Sequence, residues 1–471
     1  MLKDFISKTI HGQLNYPATP DQEKLMDVCA SFIMNKGAHE ILLVKGYAGT
    51  GKTSMIKALT GALAQLKFKS FLMAPTGRAS KVLSSYTGKN AYTIHKKIYR
   101  LKSSNDGFGA FELDKNLHTN TFFIVDEASM IGNQSFEISN FGSGNLLQDL
   151  LTYVYNEKNC KLILVGDLAQ LPPVGLMISP ALDSKKLQSM GFSVKQTSLK
   201  QVVRQDKDSG ILENATHIRQ QIEQNNTSLP KFNVEGYDDI IRLPGDELVE
   251  KISDMYDTYG LDDVMVINRS NKRSNKYNQG IRNQILWREE EISAGDYVMV
   301  VRNNYFWLTE EDEDIDFIAN GDIAEIVKIH NHESLYGYHF VDVTLRLIDH
   351  KHLEIDAVMF LDTLHIDSAS LSNKARKELF YTIMEDYAEM PKKKQYKKVK
   401  ENRYFNALEV KFAYAVTCHK AQGGQWKSIF IDQGYITEET VNIEYLRWLY
   451  TALTRASEKV FLVNFSEKFF E

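Results

Sequence analysis

Four short, nearly continuous apolar runs mark the first part of the chain: Ile-Leu-Leu-Val-Lys at 41–45, Phe-Leu-Met-Ala at 71–74, Thr-Phe-Phe-Ile-Val at 121–125 and Lys-Leu-Ile-Leu-Val at 161–165. Each ends at a turn or a polar motif, and helix-like stretches such as 54–66 lie between them. Runs without polar alternation read as strands buried on both faces, and their separation by helices predicts a parallel α/β sheet. A second set, Val-Met-Val-Ile at 264–267, Ser-Ile-Phe-Ile at 428–431 and Val-Phe-Leu-Val at 460–463, predicts a second α/β domain. Between 285 and 407 the pattern changes to period two, as in Asp-Tyr-Val-Met-Val-Val at 296–301, Ile-Ala-Glu-Ile-Val at 323–327 and Phe-Val-Asp-Val-Thr-Leu-Arg-Leu-Ile at 340–348. Alternation with turn signals such as Asn320-Gly321-Asp322 predicts a small antiparallel barrel inserted into the second domain. The expected division is therefore 1–196 for the first domain, 197–284 and 408–471 for the two parts of the second, and 285–407 for the insertion with a polar helical connector. The lysine run at 392–400 within that connector is either a phosphate contact or a solvated helix face.

Composition narrows the class without naming an activity. The chain has 471 residues, 43% hydrophobic and 25% charged, which suits two to four globular domains. No apolar run approaches the roughly 18 to 20 residues of a membrane span, and the first residues lack the apolar stretch of a secretory signal, so a cytoplasmic location with no membrane partner is expected. Cys29, Cys160 and Cys418 stand far apart and read as small core residues. A formal net charge of -5 neither supports nor excludes nucleic acid, so any such contact needs a local groove.

The most specific string is Gly46-Tyr-Ala48-Gly49-Thr50-Gly51-Lys52-Thr53, which fits G-x-x-x-x-G-K-[ST] between a strand and a helix. Its glycines let backbone N–H groups wrap phosphates, Lys52 reaches the β and γ oxygens, and the Thr53 hydroxyl suits Mg²⁺. A second apolar strand closes on Asp126-Glu127, where one carboxylate can hold the metal and the other polarise the attacking water; Asp126 is assigned to the metal and Glu127 to the base. Upstream, Thr19-Pro20-Asp21-Gln22 opens an amphipathic helix as a capping box. Gln22 either serves that cap or hydrogen-bonds an adenine edge.

Further strings follow in order: Ala74-Pro-Thr76-Gly-Arg78-Ala-Ser80, Thr93-Ile-His95, Gly166-Asp167-Leu-Ala-Gln170-Leu-Pro-Pro-Val-Gly175, Val202-Val-Arg204-Gln205, Ala415-Val-Thr417-Cys-His419-Lys420-Ala-Gln422-Gly423 and Tyr450-Thr-Ala-Leu-Thr454-Arg455-Ala456. Their order and spacing resemble superfamily 1 (1B) helicases, most closely the RecD- and Dda-like branch, over about 19–456. The resemblance implies two RecA-like domains with ATP and Mg²⁺ in the cleft between them, single-stranded DNA across both, and an SH3-like barrel in the second domain. It assigns Gln170 to γ-phosphate sensing, Arg204 and Arg455 to arginine fingers, and Gly423 to the nucleotide side. Thr76, Arg78, Thr93, His95, Thr417, His419 and Lys420 fall on the nucleic-acid backbone. An arginine that acts only when the cleft is shut would couple hydrolysis to closure. Arg204 and Arg455 have surface ion pairing as their alternative role, and His95 and His419 a structural one.

A short insertion at about 96–120 corresponds to the branch's pin hairpin at the duplex fork, where Phe108 and Phe111 either stack on the last base pair or pack inward. Gln425 stands before Trp426 where many relatives carry a glutamate, and 131–144 lengthens the segment after the acidic pair. The expected function is an ATP-dependent DNA helicase moving 5′ to 3′ on single-stranded DNA, with repair and recombination as the associated processes. Its alternatives are a motor subunit of an exonuclease complex and a non-motor binder switched by ATP. Single-stranded-DNA-binding protein and nuclease subunits are the open protein partners.

Overall fold

The computed structural model describes residues 2–35, 37, 39–102, 110–132, 142–202, 209–308, 317–348, 350 and 352–471. The chain forms two compact units. The first comprises Met1–Leu101, Phe111–Asn233 and Glu438–Thr454, and the second Lys102–Ala110, Val234–Thr437 and Arg455–Glu471.

The strands of the first half are β1 (Glu40–Gly46), β2 (Lys69–Ala74), β3 (Ala91–Thr93), β4 (Tyr99–Lys102), β5 (Ala110–Leu113), β6 (Thr121–Val125), β7 (Lys161–Gly166) and β8 (Ser193–Leu199). Six of them make a sheet in the order β3-β2-β6-β7-β1-β8, and every pairing in it is parallel. Along β1, Leu42 and Val44 enter one core with the helices Pro20–Met34 and Lys52–Gln65, whereas Ile41 and Leu43 enter another with the helix Leu146–Tyr155. Covering both faces is what makes the central strands continuously apolar. The edge strands β3 and β8 are polar enough to give no such run, as Ser-Val-Lys-Gln-Thr-Ser-Leu in β8 illustrates. β8 spans the expected 196/197 boundary and pairs with β1, and the first unit continues beyond it to Asn233.

β4 and β5 pair into a two-stranded sheet at the expected pin. Phe108 lies outside the described residues, and Phe111 packs inward against a core that contains Ile98 and Tyr153. Most of the 131–144 segment also lies outside them.

The second unit begins its sheet with β9 (Ile240–Leu243) and β10 (Val264–Asn268). The chain then leaves for β11 (Tyr297–Val300), β12 (Ile323–Leu335), β13 (Tyr338–Leu347), β14 (Leu353–Phe360) and β15 (Leu408–Phe412), which close into a five-stranded barrel. It returns for β16 (Ala415–Thr417), β17 (Trp426–Asp432) and β18 (Ala456–Val463), completing a parallel sheet in the order β16-β10-β17-β18-β9. The barrel reaches Phe412 rather than stopping at 407, because β15 supplies the strand that pairs with both β11 and β14. Between β14 and β15 run the helices Asn373–Glu385 and Lys392–Lys400. On the latter Lys392, Lys393, Lys394, Lys397 and Lys398 are exposed while Gln395 and Val399 are buried, so the lysine run is the solvated side of a helix. The three cysteines are buried free thiols, and no helix among the described residues is long and apolar enough to cross a membrane.

Phe123 on β6 is fully buried with ring centroids 5.6 Å from Phe71 and 5.9 Å from Tyr153. Phe123→Ala is expected to destabilise the first unit by about 3–5 kcal/mol, read as a lower urea midpoint. An unchanged midpoint contradicts this assignment of the core.

Candidate functional site

Three adjacent strands deliver the chemistry of the first unit to one sheet edge. β1 runs into the glycine loop, its neighbour β7 into Asp167, and the next strand β6 into Asp126-Glu127. All three are parallel, so their carboxyl ends lie together, which is where α/β sheets bind ligands.

Within the loop, Gly49 has φ 74° and Gly51 φ 81°, left-handed values that a side chain would strain. Gly46 is needed for another reason: a Cβ there would stand 2.7 Å from Cγ of Lys52. Lys52 opens its helix with Nζ donating to the Tyr47 carbonyl at 2.9 Å and lying 3.9 Å from Oδ2 of Asp167. The Thr50 hydroxyl donates to the same Tyr47 carbonyl at 2.8 Å. Glu127 has φ 52°, and its N–H donates to Oδ1 of Asp126 at 2.8 Å. Burial and the neighbouring Glu127 carboxylate push the Asp126 carboxyl well above the usual range, opposed by Lys52. A cation at this position would relieve that repulsion. Gln170 is buried, and its Oε1 accepts from the Ser129 hydroxyl at 3.4 Å.

Gln22 completes its capping box: Oε1 accepts from Thr19 N–H and Nε2 donates to the Thr50 carbonyl, each at 3.2 Å. The side chain is sealed from solvent. It thereby ties the helix cap to the phosphate loop through the Thr50 carbonyl.

The backbone-contact candidates of the first unit lie along the same edge, beyond β2 and β3. Thr76 and Thr93 are both helix N-caps, accepting from Ala79 N–H at 3.2 Å and Lys96 N–H at 3.0 Å. Arg78 stands in the first turn after Thr76 and is half-buried. Burial pushes the His95 imidazole down to about 4, so at neutral pH it is an uncharged hydrogen-bonding group.

In the second unit Thr417, His419 and Lys420 follow the end of β16, which pairs with β10. Thr417 caps no backbone N–H of the short helix it precedes. Burial lowers the Lys420 ammonium to about 8 and Lys411, beside it, also to about 8. The structure brings Arg455 and the Gly423 turn together: Gly423 has φ 77°, and Nη1 of the buried Arg455 donates to the adjacent Gly424 carbonyl at 3.3 Å. Arg204 lies outside the described residues.

Sequence reasoning passed over three residues of the first unit. Asp167 and Tyr450 are both buried at 1% exposure, and the Tyr450 hydroxyl donates to Oδ2 of Asp167 at 2.7 Å while accepting from Ala48 N–H at 2.8 Å. Arg447, on the same helix Ile443–Leu453, is half-buried with the charge of Asp167 acting on it. Asp167 and Tyr450 stand inside strings already singled out, but no periodicity signals a contact 283 positions apart.

Comparison with known proteins agrees with this layout. The AAA domain family matches residues 20–230 and the UvrD-like helicase C-terminal domain family residues 412–463. An uncharacterized protein of Acanthamoeba polyphaga mimivirus, R530, is 23% identical over 91% of this chain and 96% of its own. The ATP-dependent RecD2 DNA helicase of Deinococcus radiodurans is 32% identical over 31% of this chain and 18% of its own. The ATP-dependent DNA helicase dda of Enterobacteria phage T4 is 26% identical over 60% of each. The chain spans less than two thirds of the length of either helicase. The two matched families, in this order, and these relatives make the chain similar to superfamily 1 helicases of the RecD- and Dda-like branch.

Gly46→Ala is expected to weaken nucleotide binding at least about tenfold by displacing the Lys52 stem, with the thermal midpoint little changed. Titration with a fluorescent nucleotide checks this, and unaltered affinity contradicts the close approach seen here.

Proposed function

We propose that the chain is an ATP-dependent DNA helicase that moves 5′ to 3′ along single-stranded DNA. The observation that carries the reading is the adjacency of β6, β7 and β1, which assembles a phosphate loop, an acidic pair and Gln170 at one edge. In this reading Lys52 and the loop N–H groups hold the β and γ phosphates, Thr53 and Asp126 hold Mg²⁺, and Glu127 orients and deprotonates the attacking water. Gln170 senses the γ-phosphate. Arg455 and Arg204 supply cations to the charge that builds on the transferred phosphoryl group, with Gly423 on the nucleotide side in the turn whose Gly424 carbonyl accepts from Arg455. Thr76, Arg78, Thr93, His95, Thr417, His419 and Lys420 grip the DNA backbone, a sequence-neutral contact suited to a motor.

DNA-stimulated ATP hydrolysis is the test. Stimulation by single-stranded DNA is expected, with kcat falling about a hundredfold or more in Glu127→Gln and about a thousandfold in Arg455→Ala at nearly unchanged nucleotide affinity. Hydrolysis that ignores DNA contradicts the motor reading, and retained turnover in Glu127→Gln removes the base assignment.

A pH dependence follows from Lys420. Its charge is present below about 8 and lost above it, so single-stranded DNA affinity should fall as pH rises from 7 to 9. Lys420→Met should weaken binding at pH 7, flatten that fall and reduce the salt dependence by about one phosphate contact. An unaltered pH profile in the variant places Lys420 off the DNA.

A further inference from the structure

The helix Ile443–Leu453 is tied to the nucleotide machinery by two consecutive hydroxyls. Tyr450 accepts from the loop amide of Ala48 at 2.8 Å and donates to Asp167 at 2.7 Å. Thr451 accepts at 2.9 Å from the N–H of Leu171, the residue after Gln170. Asp167 is itself fixed by Ala169 N–H at 2.8 Å and lies 3.9 Å from the Lys52 ammonium. A continuous polar chain therefore runs from Lys52 through Asp167 and Tyr450 back to the phosphate loop, inside a buried environment where such bonds are strong and costly to break. Two residues beyond the helix stands Arg455.

From this geometry we infer that Tyr450, with Asp167, is a positioning residue for the ATP reaction: it reports phosphate-loop occupancy to the helix that leads into Arg455. The inference rests on the proposed ATPase reading. Lys52 now spends its protons on the Tyr47 carbonyl and the Asp167 charge. Incoming phosphates compete for the ammonium and for the loop amides, so Asp167 and the Tyr450 hydroxyl must readjust together. Tyr450 is the one side chain among those described that bonds both a phosphate-loop amide and Asp167. Its effect on turnover passes through the helix, so it belongs in kcat rather than in nucleotide affinity.

Tyr450→Phe keeps the ring in its buried place and removes both hydrogen bonds. Two measurements on the full chain test it. The first is hydrogen exchange of the 443–455 segment with and without a non-hydrolysable ATP analogue, which depends neither on turnover nor on DNA. The native chain should change its exchange about threefold or more on binding, and Tyr450→Phe should lose that response while binding the analogue nearly as well. The second is hydrolysis, where kcat should fall about tenfold with KM within about threefold, and where Tyr450→Phe should add little to Arg455→Ala in the double variant. A native helix that ignores nucleotide, a response that survives in Tyr450→Phe, or a double variant slowed by the product of the single effects overturns the inference. Absence of DNA stimulation with these responses intact would overturn the helicase reading instead.

Discussion

A parallel sheet ends all its strands at one edge, and the first unit depends on that constraint. β1, β7 and β6 are neighbours in space although the starts of β6 and β7 lie 40 residues apart along the chain and those of β1 and β7 lie 121 apart, because each crossover carries a helix over a face of the sheet. Polar motifs placed at their carboxyl ends are thereby gathered, while the buried polar residues of these strands, Glu40, Thr121 and Lys161, stand at their opposite ends. The two apolar cores, one on each face, hold this arrangement rigid enough for hydrogen bonds of 2.7 to 2.9 Å to persist around Lys52, Asp167 and Tyr450.

Much of this was legible in the sequence. The strands with continuous apolar runs, β1, β6, β7 and β10, appear where the runs stand, because burial on both faces leaves no room for polar alternation. The glycine loop and the acidic pair were also legible, since their chemistry requires particular residue types at fixed local spacing. The alternating pieces foretold a barrel for the corresponding reason, one face wet and one dry, as β13 shows with inward Val341, Val343, Leu345 and Leu347.

What the pattern left out has physical causes too. Edge strands such as β3, β8, β9 and β16 are short or partly exposed, so selection for apolar runs is weak there. The barrel's last strand, Leu-Glu-Val-Lys-Phe, lies past the expected boundary at 407 and breaks the apolar pattern with buried Glu409 and Lys411, which are met by Arg376 and by the Ile366 carbonyl. Gln22 reads from sequence equally as a cap or an adenine ligand, and only the structure shows its amide bonded to both Thr19 and Thr50. Tyr450 and Asp167 were visible as letters in familiar strings, but their bond exists only in three dimensions.

In the proposed function, hydrolysis at this edge drives strand displacement. Unwinding of a fluorescently labelled duplex with a 5′ single-stranded tail, run with ATP and with a non-hydrolysable analogue, tests it most directly. Displacement that requires hydrolysable ATP and the 5′ tail is the predicted result. No displacement from any tailed duplex contradicts the helicase reading, and displacement only from a 3′ tail contradicts its direction.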